Sequence, residues 1–339
     1  MSRLNDTVVF GPFIGEFGWE LMHWSMWVEN VSKGEFSDFN KIVVSRQGHG
    51  CLYPSANEFI SIPDQIVHQI RSPRNYISDG LFSGYPGINT DWNFRFRSAM
   101  KDLLHFRVPH KYSVDEPGVD FGLLQELSTF RSQIGRNWKS TGELRYYSPF
   151  ELNHFNNMAF GFNSHGDLRN MAQPSRVFPI KVKSQSFEKL IVPAPKHPKA
   201  IESAIMNDEI ETVCVFPRRR LDRRIDKNLS EGEYLSIIKV LQSKYRVAIL
   251  GTPSGSYFSN GVPFGCIDLI NLPQDIRLQE QIRILSDSKF AIGGTSGALL
   301  LALRVGIPIK MIGPESELKR LRSYDVLGAG VSEFKTAKI

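Results

Sequence analysis

"KFAIGGTSGALLLALRVGIPIKMIG" (residues 289–313) holds one complete strand–helix–strand unit. Residues 289–294 are a short apolar run closing on two glycines, the pattern of a buried strand. Residues 296–306 are apolar but for Ser296 and Arg304 and end on a glycine, as a packed helix does. Residues 307–313 read as the next strand. The alternation extends upstream. "TVCVFP" (212–217), "RVAILG" (246–251) and "CIDLIN" (266–271) read as further strands, and "RLQEQIRILSDS" (277–288) as an amphipathic helix. "SEGEYLSIIKVLQSKY" (230–245) predicts a helix with Leu235, Ile238 and Leu241 on one face, started by a Ser230/Glu233 capping box. Strands and helices alternating at this spacing predict βαβ units, hence a parallel sheet covered on both faces.

The first half begins in the same way. "TVVFGP" (7–12) and "NKIVVSR" (40–46) read as strands flanking a helix, and "QIVHQI" (65–70) as a third. Residues 88–175 follow neither period. Three prolines in "LIVPAPKHPKAIESAIMNDE" (190–209) mark a linker. The expected organisation is an N-terminal Rossmann-like domain over 1–190, a linker over 191–210 and a C-terminal Rossmann-like domain over 211–318. Residues 319–339 would return toward the first domain. Two such domains are expected to face across a cleft, with ligands at the carboxyl ends of the strands.

Composition bounds the chemistry. At 41% hydrophobic and 22% charged over 339 residues, the chain is globular and long enough to bury substantial cores. Its three cysteines, Cys51, Cys214 and Cys266, are far apart and form no CxxC pair. Neither a disulfide framework nor a zinc site is indicated, and a reducing, cytoplasmic setting is expected. The start has no secretory h-region, and Arg304, Pro308 and Lys310 interrupt the most apolar stretch, so no transmembrane segment is expected. A net charge of +6 suits an anionic ligand, nucleic acid or a peripheral contact with an acidic membrane.

Three constellations follow predicted strands. In "GGTSGALLLAL" (293–303), Thr295, Ser296 and Gly297 open a helix, where free N–H groups suit phosphate and where Ser and Thr are also ordinary caps. In "FPRRRLDRRIDKN" (216–228), Arg218, Arg219, Arg220, Arg223 and Arg224 follow the first C-terminal strand. Guanidinium forks hold phosphate bidentately, and a solvated basic loop is the alternative. Together, Arg218, Arg220, Arg224 and Thr295–Gly297 predict a diphosphate site without a metal, since no DxD clamp occurs. The third is "GEFGWELMHW" (15–24), with Gly15, Glu16, Glu20 and His23 between strand and helix. Glu16 leads as general base, His23 follows, and His49 in "SRQGHG" is third, beside Arg46 as an anion or acid partner. The bland reading of Glu20 is stabilisation of the helix N-terminus, and that of Trp19, Trp24 and Trp27 is core packing.

On these motifs the chain resembles the GT-B glycosyltransferases: bacterial and viral glycan-assembly transferases, and distantly the fucosyltransferase group. The resemblance covers residues 8–50 and 210–313. It implies a nucleotide-sugar donor as co-substrate, no resident cofactor, and donor pyrophosphate contacts from Arg218 or Arg220 and from Thr295–Gly297. It also implies nucleoside contacts near Gly251-Thr252 and Asn271-Leu272, and a glycan acceptor served by the first domain. "FPRRRL" stands where the fucosyltransferases carry His-x-Arg-Arg-Gly-Asp, a departure that argues against GDP-fucose. Two alternatives share the scaffold. One is a DNA-modifying sugar transferase using Trp92, Phe94 and Phe96 with Arg95 and Arg97, and the other is a non-catalytic nucleotide or anion binder.

Overall fold

The computed structural model describes residues 6–13, 17–63, 144–147, 210–220, 227–325 and 327–334, apart from the side chains of Trp19, His23 and Tyr146. The chain divides into two compact units, Met1–Gln185 and Ser186–Ile339. The predicted strand at 65–70, the 191–209 stretch of the linker and the aromatic-basic run at 92–97 lie outside the described residues.

Among the described residues the first unit carries four parallel strands in the order β3-β2-β1-β4. These are β1 (Thr7–Phe10), β2 (Asn40–Ser45), β3 (Glu58–Ser61) and β4 (Leu144–Tyr147). Between β1 and β2 run a short α1 (Phe17–Trp19), a π-helical turn (Glu20–Trp24) and α2 (Ser25–Lys33). Aromatic rings cluster in the described part of this unit's core. Phe10 meets Trp27 and Phe36 edge-on at 5.8 and 5.7 Å, and Trp24 stacks on Trp27 at 5.2 Å. Trp24 and Trp27 are thus core residues, as their apolar setting predicts. Gly11 follows β1 at φ +122, so close to β2 that a Cβ would sit 2.2 Å from the Val44 carbonyl oxygen. Only glycine fits there.

The second unit carries six parallel strands in the order β10-β9-β8-β5-β6-β7. They are β5 (Thr212–Phe216), β6 (Arg246–Ile249), β7 (Ile267–Asp268), β8 (Ser288–Gly294), β9 (Ile309–Ile312) and β10 (Val331–Glu333). Counted within the unit this is the 3-2-1-4-5-6 order of a doubly wound Rossmann sheet, whose direction of winding reverses between β5 and β8. Four helices connect the strands: α3 (Glu231–Gln242), α4 (Gln274–Ser286), α5 (Leu300–Val305) and α6 (Glu315–Arg322).

The Ser230/Glu233 capping box of α3 is present on both sides, Ser230 Oγ accepting the Glu233 N–H while Glu233 accepts the Ser230 N–H. The inner face of α3 differs from the expected one. Tyr234, Ile237, Ile238 and Leu241 are buried against Val213, Val215, Val247, Ile249 and Ile292, whereas Leu235 is exposed. One residue turns a helix by about 100°, so placing Tyr234 inward carries Leu235 out. Within the C-terminal segment, β10 pairs in parallel with β9 at one edge of the sheet. Among the described residues no helix is long and apolar enough to cross a membrane.

Candidate active site

In the first unit the site is built around Glu20. The π-helical turn rotates Glu20 inward, where its side chain is 0% exposed. Such insertions into helices recur at functional sites because they re-aim one residue. Both oxygens are engaged. Oε1 accepts the Tyr53 hydroxyl at 2.8 Å and a short hydrogen bond from Ser45 Oγ. Oε2 meets His49 Nδ1 at 2.6 Å, and Arg46 Nη1 lies 3.8 Å away. Ser45 ends β2, Arg46 and His49 lie in the loop beyond it, and Tyr53 follows the 3-10 turn Gly50–Leu52. The cluster therefore stands at the carboxyl end of a parallel strand, where α/β ligands bind.

Electrostatics fix the protonation states. Burial pushes the Glu20 carboxyl up, but the charge and hydrogen bond of His49, then Arg46 and Ser45, outweigh it and leave the group below the usual carboxylate range. An ionised carboxylate only accepts, so His49 Nδ1 must donate. Nε2 is then the nitrogen with a lone pair whenever the ring is neutral. The imidazole is 17% exposed, with Phe17 edge-on at 5.6 Å. A buried carboxylate that orients a partly exposed histidine is a proton-acceptor arrangement. Burial, with Glu20 nearby, pushes the Cys51 thiol up to about 12 and holds the Tyr53 phenol well above its usual value, so both stay protonated.

Of the expected base candidates, Glu16 and the side chain of His23 lie outside the described residues, as does Gly15. Arg46, Glu20 and His49 come together, with Glu20 as the hub and no mere helix-terminal charge. Tyr53 and Ser45 had no sequence signal, because both reach Glu20 from far along the chain.

In the second unit, Arg218 and the Gly293–Gly297 turn stand side by side at the reversal between β5 and β8, since Phe216 is the register partner of Gly293. Arg218 is 6% exposed. Its Nη1 donates to Asn228 Oδ1 at 2.7 Å, and the same oxygen accepts the Arg220 N–H at 3.1 Å. Asn228 Nδ2 donates in turn to the Arg220 carbonyl at 2.7 Å. This asparagine, which the sequence did not single out, ties the arginine loop together. Tyr234 adds a second tie, its phenol oxygen accepting the backbone N–H of Arg218 at 3.2 Å beside Gly294. Arg219 is exposed and lies over the Tyr257 ring at 5.6 Å. Arg223 and Arg224 lie outside the described residues. Ser296 Oγ accepts the Leu299 N–H at 3.1 Å, a capping role, and the buried Thr295 points its hydroxyl to Met311 Sδ at 3.6 Å. Gly297 begins the turn that leads into α5.

The expected nucleoside-side residues follow β6 and β7. The Gly251 carbonyl accepts from Gln281 Nε2 at 2.6 Å, and Thr252 is exposed before the 3-10 turn Pro253–Gly255. Asn271 donates its amide to Asp268 at 2.7 Å, and the Leu272 carbonyl accepts from Arg277 at 2.6 Å. Among the described residues no group of His, Cys, Asp and Glu could hold a metal ion.

No family model and no curated protein sequence matches the chain. Several solved structures align with it at low identity. The iron-containing dodecameric glycosyltransferase TibC of enterotoxigenic E. coli H10407 is 16% identical, covers 91% of this chain and 59% of its own, and gives a TM-score of 0.40. E. coli heptosyltransferase WaaC with ADP-2-deoxy-2-fluoro heptose is 12% identical over 91% of this chain and 90% of its own, TM-score 0.42. The glycosyl transferase family 9 protein of Veillonella parvula DSM 2008 is 9% identical over 92% and 81%, TM-score 0.43. The chain thus spans about three fifths of the length of TibC. These are weak likenesses, and the ligands in those names belong to those proteins.

Proposed function

We propose that this chain is a metal-independent glycosyltransferase that moves a sugar from a nucleotide-sugar to a hydroxyl of a glycan acceptor with inversion. The observation that carries the chemistry is the 2.6 Å contact between His49 Nδ1 and the buried Glu20, which leaves Nε2 to accept a proton. In this reading the acceptor O–H gives its proton to Nε2 as its oxygen bonds to the anomeric carbon. The bond from that carbon to the phosphate oxygen breaks, and its electron pair leaves on the nucleoside diphosphate. Glu20 stabilises the imidazolium that results.

The arginine loop and the Thr295–Gly297 turn serve the departing diphosphate. Support comes from their shared position at the winding reversal, where doubly wound sheets take nucleotides, and from Arg218, held in one orientation by Asn228. A guanidinium already oriented loses little freedom on meeting a phosphate, and so stabilises developing charge without reorganisation. Arginines here take the part a divalent cation plays in other transferases.

The test is a thermal-shift panel of UDP, GDP, CDP, ADP, dTDP and CMP, each with and without EDTA. One diphosphate should raise the melting temperature equally in both conditions, in proportion to its occupancy, and Arg218→Ala should lose the shift. If no nucleotide shifts the melt at millimolar concentration, the donor site is refuted.

A further inference from the structure

A carboxylate is symmetric, and its two oxygens take different roles only if the surroundings distinguish them. Around Glu20 they do. Tyr53 and Ser45 hold Oε1, while His49 and Arg46 face Oε2. Rotation of the carboxylate would strand the Tyr53 hydroxyl in a buried site, which costs more than the hydrogen bond itself contributes. The same 3-10 turn delivers both partners. His49 precedes Gly50–Leu52 and Tyr53 follows it, with the Leu52 N–H on the His49 carbonyl at 2.9 Å and the Tyr53 N–H on that of Gly50 at 3.0 Å. The Tyr53 ring is buried and stacks on Phe59 at 6.3 Å, so its hydroxyl has little freedom to leave.

We propose that Tyr53, with Ser45, is a positioning residue: by holding Oε1 of Glu20 it aims Oε2 at His49 Nδ1 and so leaves Nε2 as the lone-pair nitrogen of the ring. Its catalytic meaning rests on the reading of His49 as a base, but its physical content does not. Among the described residues, the titratable and charged groups that face Glu20 are Arg46, His49, Cys51 and Tyr53. Cys51 and Tyr53 remain neutral. Removing the Tyr53 hydroxyl frees Oε1, so the carboxylate can turn and Oε2 is no longer aimed at His49 Nδ1 alone.

The experiment is a pH titration of the His49 ring nitrogens by NMR in the full chain, comparing wild type with Tyr53→Phe and Ser45→Ala. The wild-type neutral ring should carry its proton on Nδ1. Both variants should lose the single tautomer, the neutral ring carrying its proton on either nitrogen. An unchanged tautomer in a folded variant overturns the inference, and Ser45→Ala carries the test alone if Tyr53→Phe does not fold. The readout needs no turnover. A lost tautomer preference in a protein that transfers no sugar keeps this inference and removes the transferase reading.

Discussion

The Tyr234 phenol oxygen accepts the Arg218 backbone N–H at 3.2 Å, and through it the inner face of α3 is tied to the end of β5. Gly294, at the end of β8, lies beside the same hydroxyl. Burial pushes this phenol up to about 12, and it stays neutral. Tyr234→Phe keeps the ring but leaves the Arg218 backbone donor unsatisfied. It should cost roughly 1–3 kcal/mol in urea unfolding and weaken diphosphate binding, as read by the thermal shift. Unchanged nucleotide affinity would separate the phenol from the proposed donor site.

Two glycines should respond with opposite sign. Gly11 sits at φ +122 with its missing Cβ 2.2 Å from a backbone oxygen, whereas a Cβ on Gly232 in α3 meets nothing within 4 Å. Gly11→Ala should destabilise the first unit by several kcal/mol, on the order of the larger single-mutant effects. Gly232→Ala should stabilise the second by about 0.5 kcal/mol, since helical glycine carries an entropic cost. Chemical denaturation of the two variants checks both signs.

How far the sequence could be read depended on the range of the interactions involved. The capping box of α3 was legible because Ser230 and Glu233 are three residues apart and act on each other alone. Strands β5 to β9 of the second unit were legible because residues such as Cys214 and Ala291 are covered from both faces and so read as apolar runs, whereas β10, a three-residue edge strand, was not. β3 was not, because "EFIS" lies at a sheet edge and none of its side chains is fully buried. β4 was not, because a four-residue strand in a stretch without periodicity carries no pattern of its own. At the candidate site, Glu20 and His49 are 29 residues apart and Glu20 and Tyr53 are 33. Their meeting depends on the π-helical turn, which no local spacing announces.

Acid should expose the role of Glu20. Its carboxyl lies below the usual value when folded, so it contributes stability above about pH 4.5 that is lost as pH falls through the folded value. Glu20→Gln should lower stability at pH 7 by about 2 kcal/mol or more, from the loss of charge-assisted hydrogen bonds. It should also flatten the decline between pH 6 and acid relative to wild type. Urea melts at a series of pH values test both; a decline as steep in the variant would place the acid sensitivity elsewhere.

All three thiols should resist alkylation in the native state. Burial pushes Cys51 and Cys214 up to about 12 and Cys266 to about 11. The thiolate is the reactive form, so iodoacetamide at pH 8 should label the folded protein far more slowly than the urea-unfolded chain. Rapid labelling of Cys51 would mean that the loop beside Glu20 opens on the timescale of the reaction.

His49 carries the proposed chemistry, and the most direct test is transfer itself. Wild type and His49→Gln should be compared for release of nucleoside diphosphate from the nucleotide-sugar whose base shifts the melt, with acceptor present. Removing a general base costs typically ~100-fold or more. His49→Gln should lose at least that much activity while keeping the nucleotide-induced thermal shift. Full transfer by His49→Gln would rule out His49 as the base.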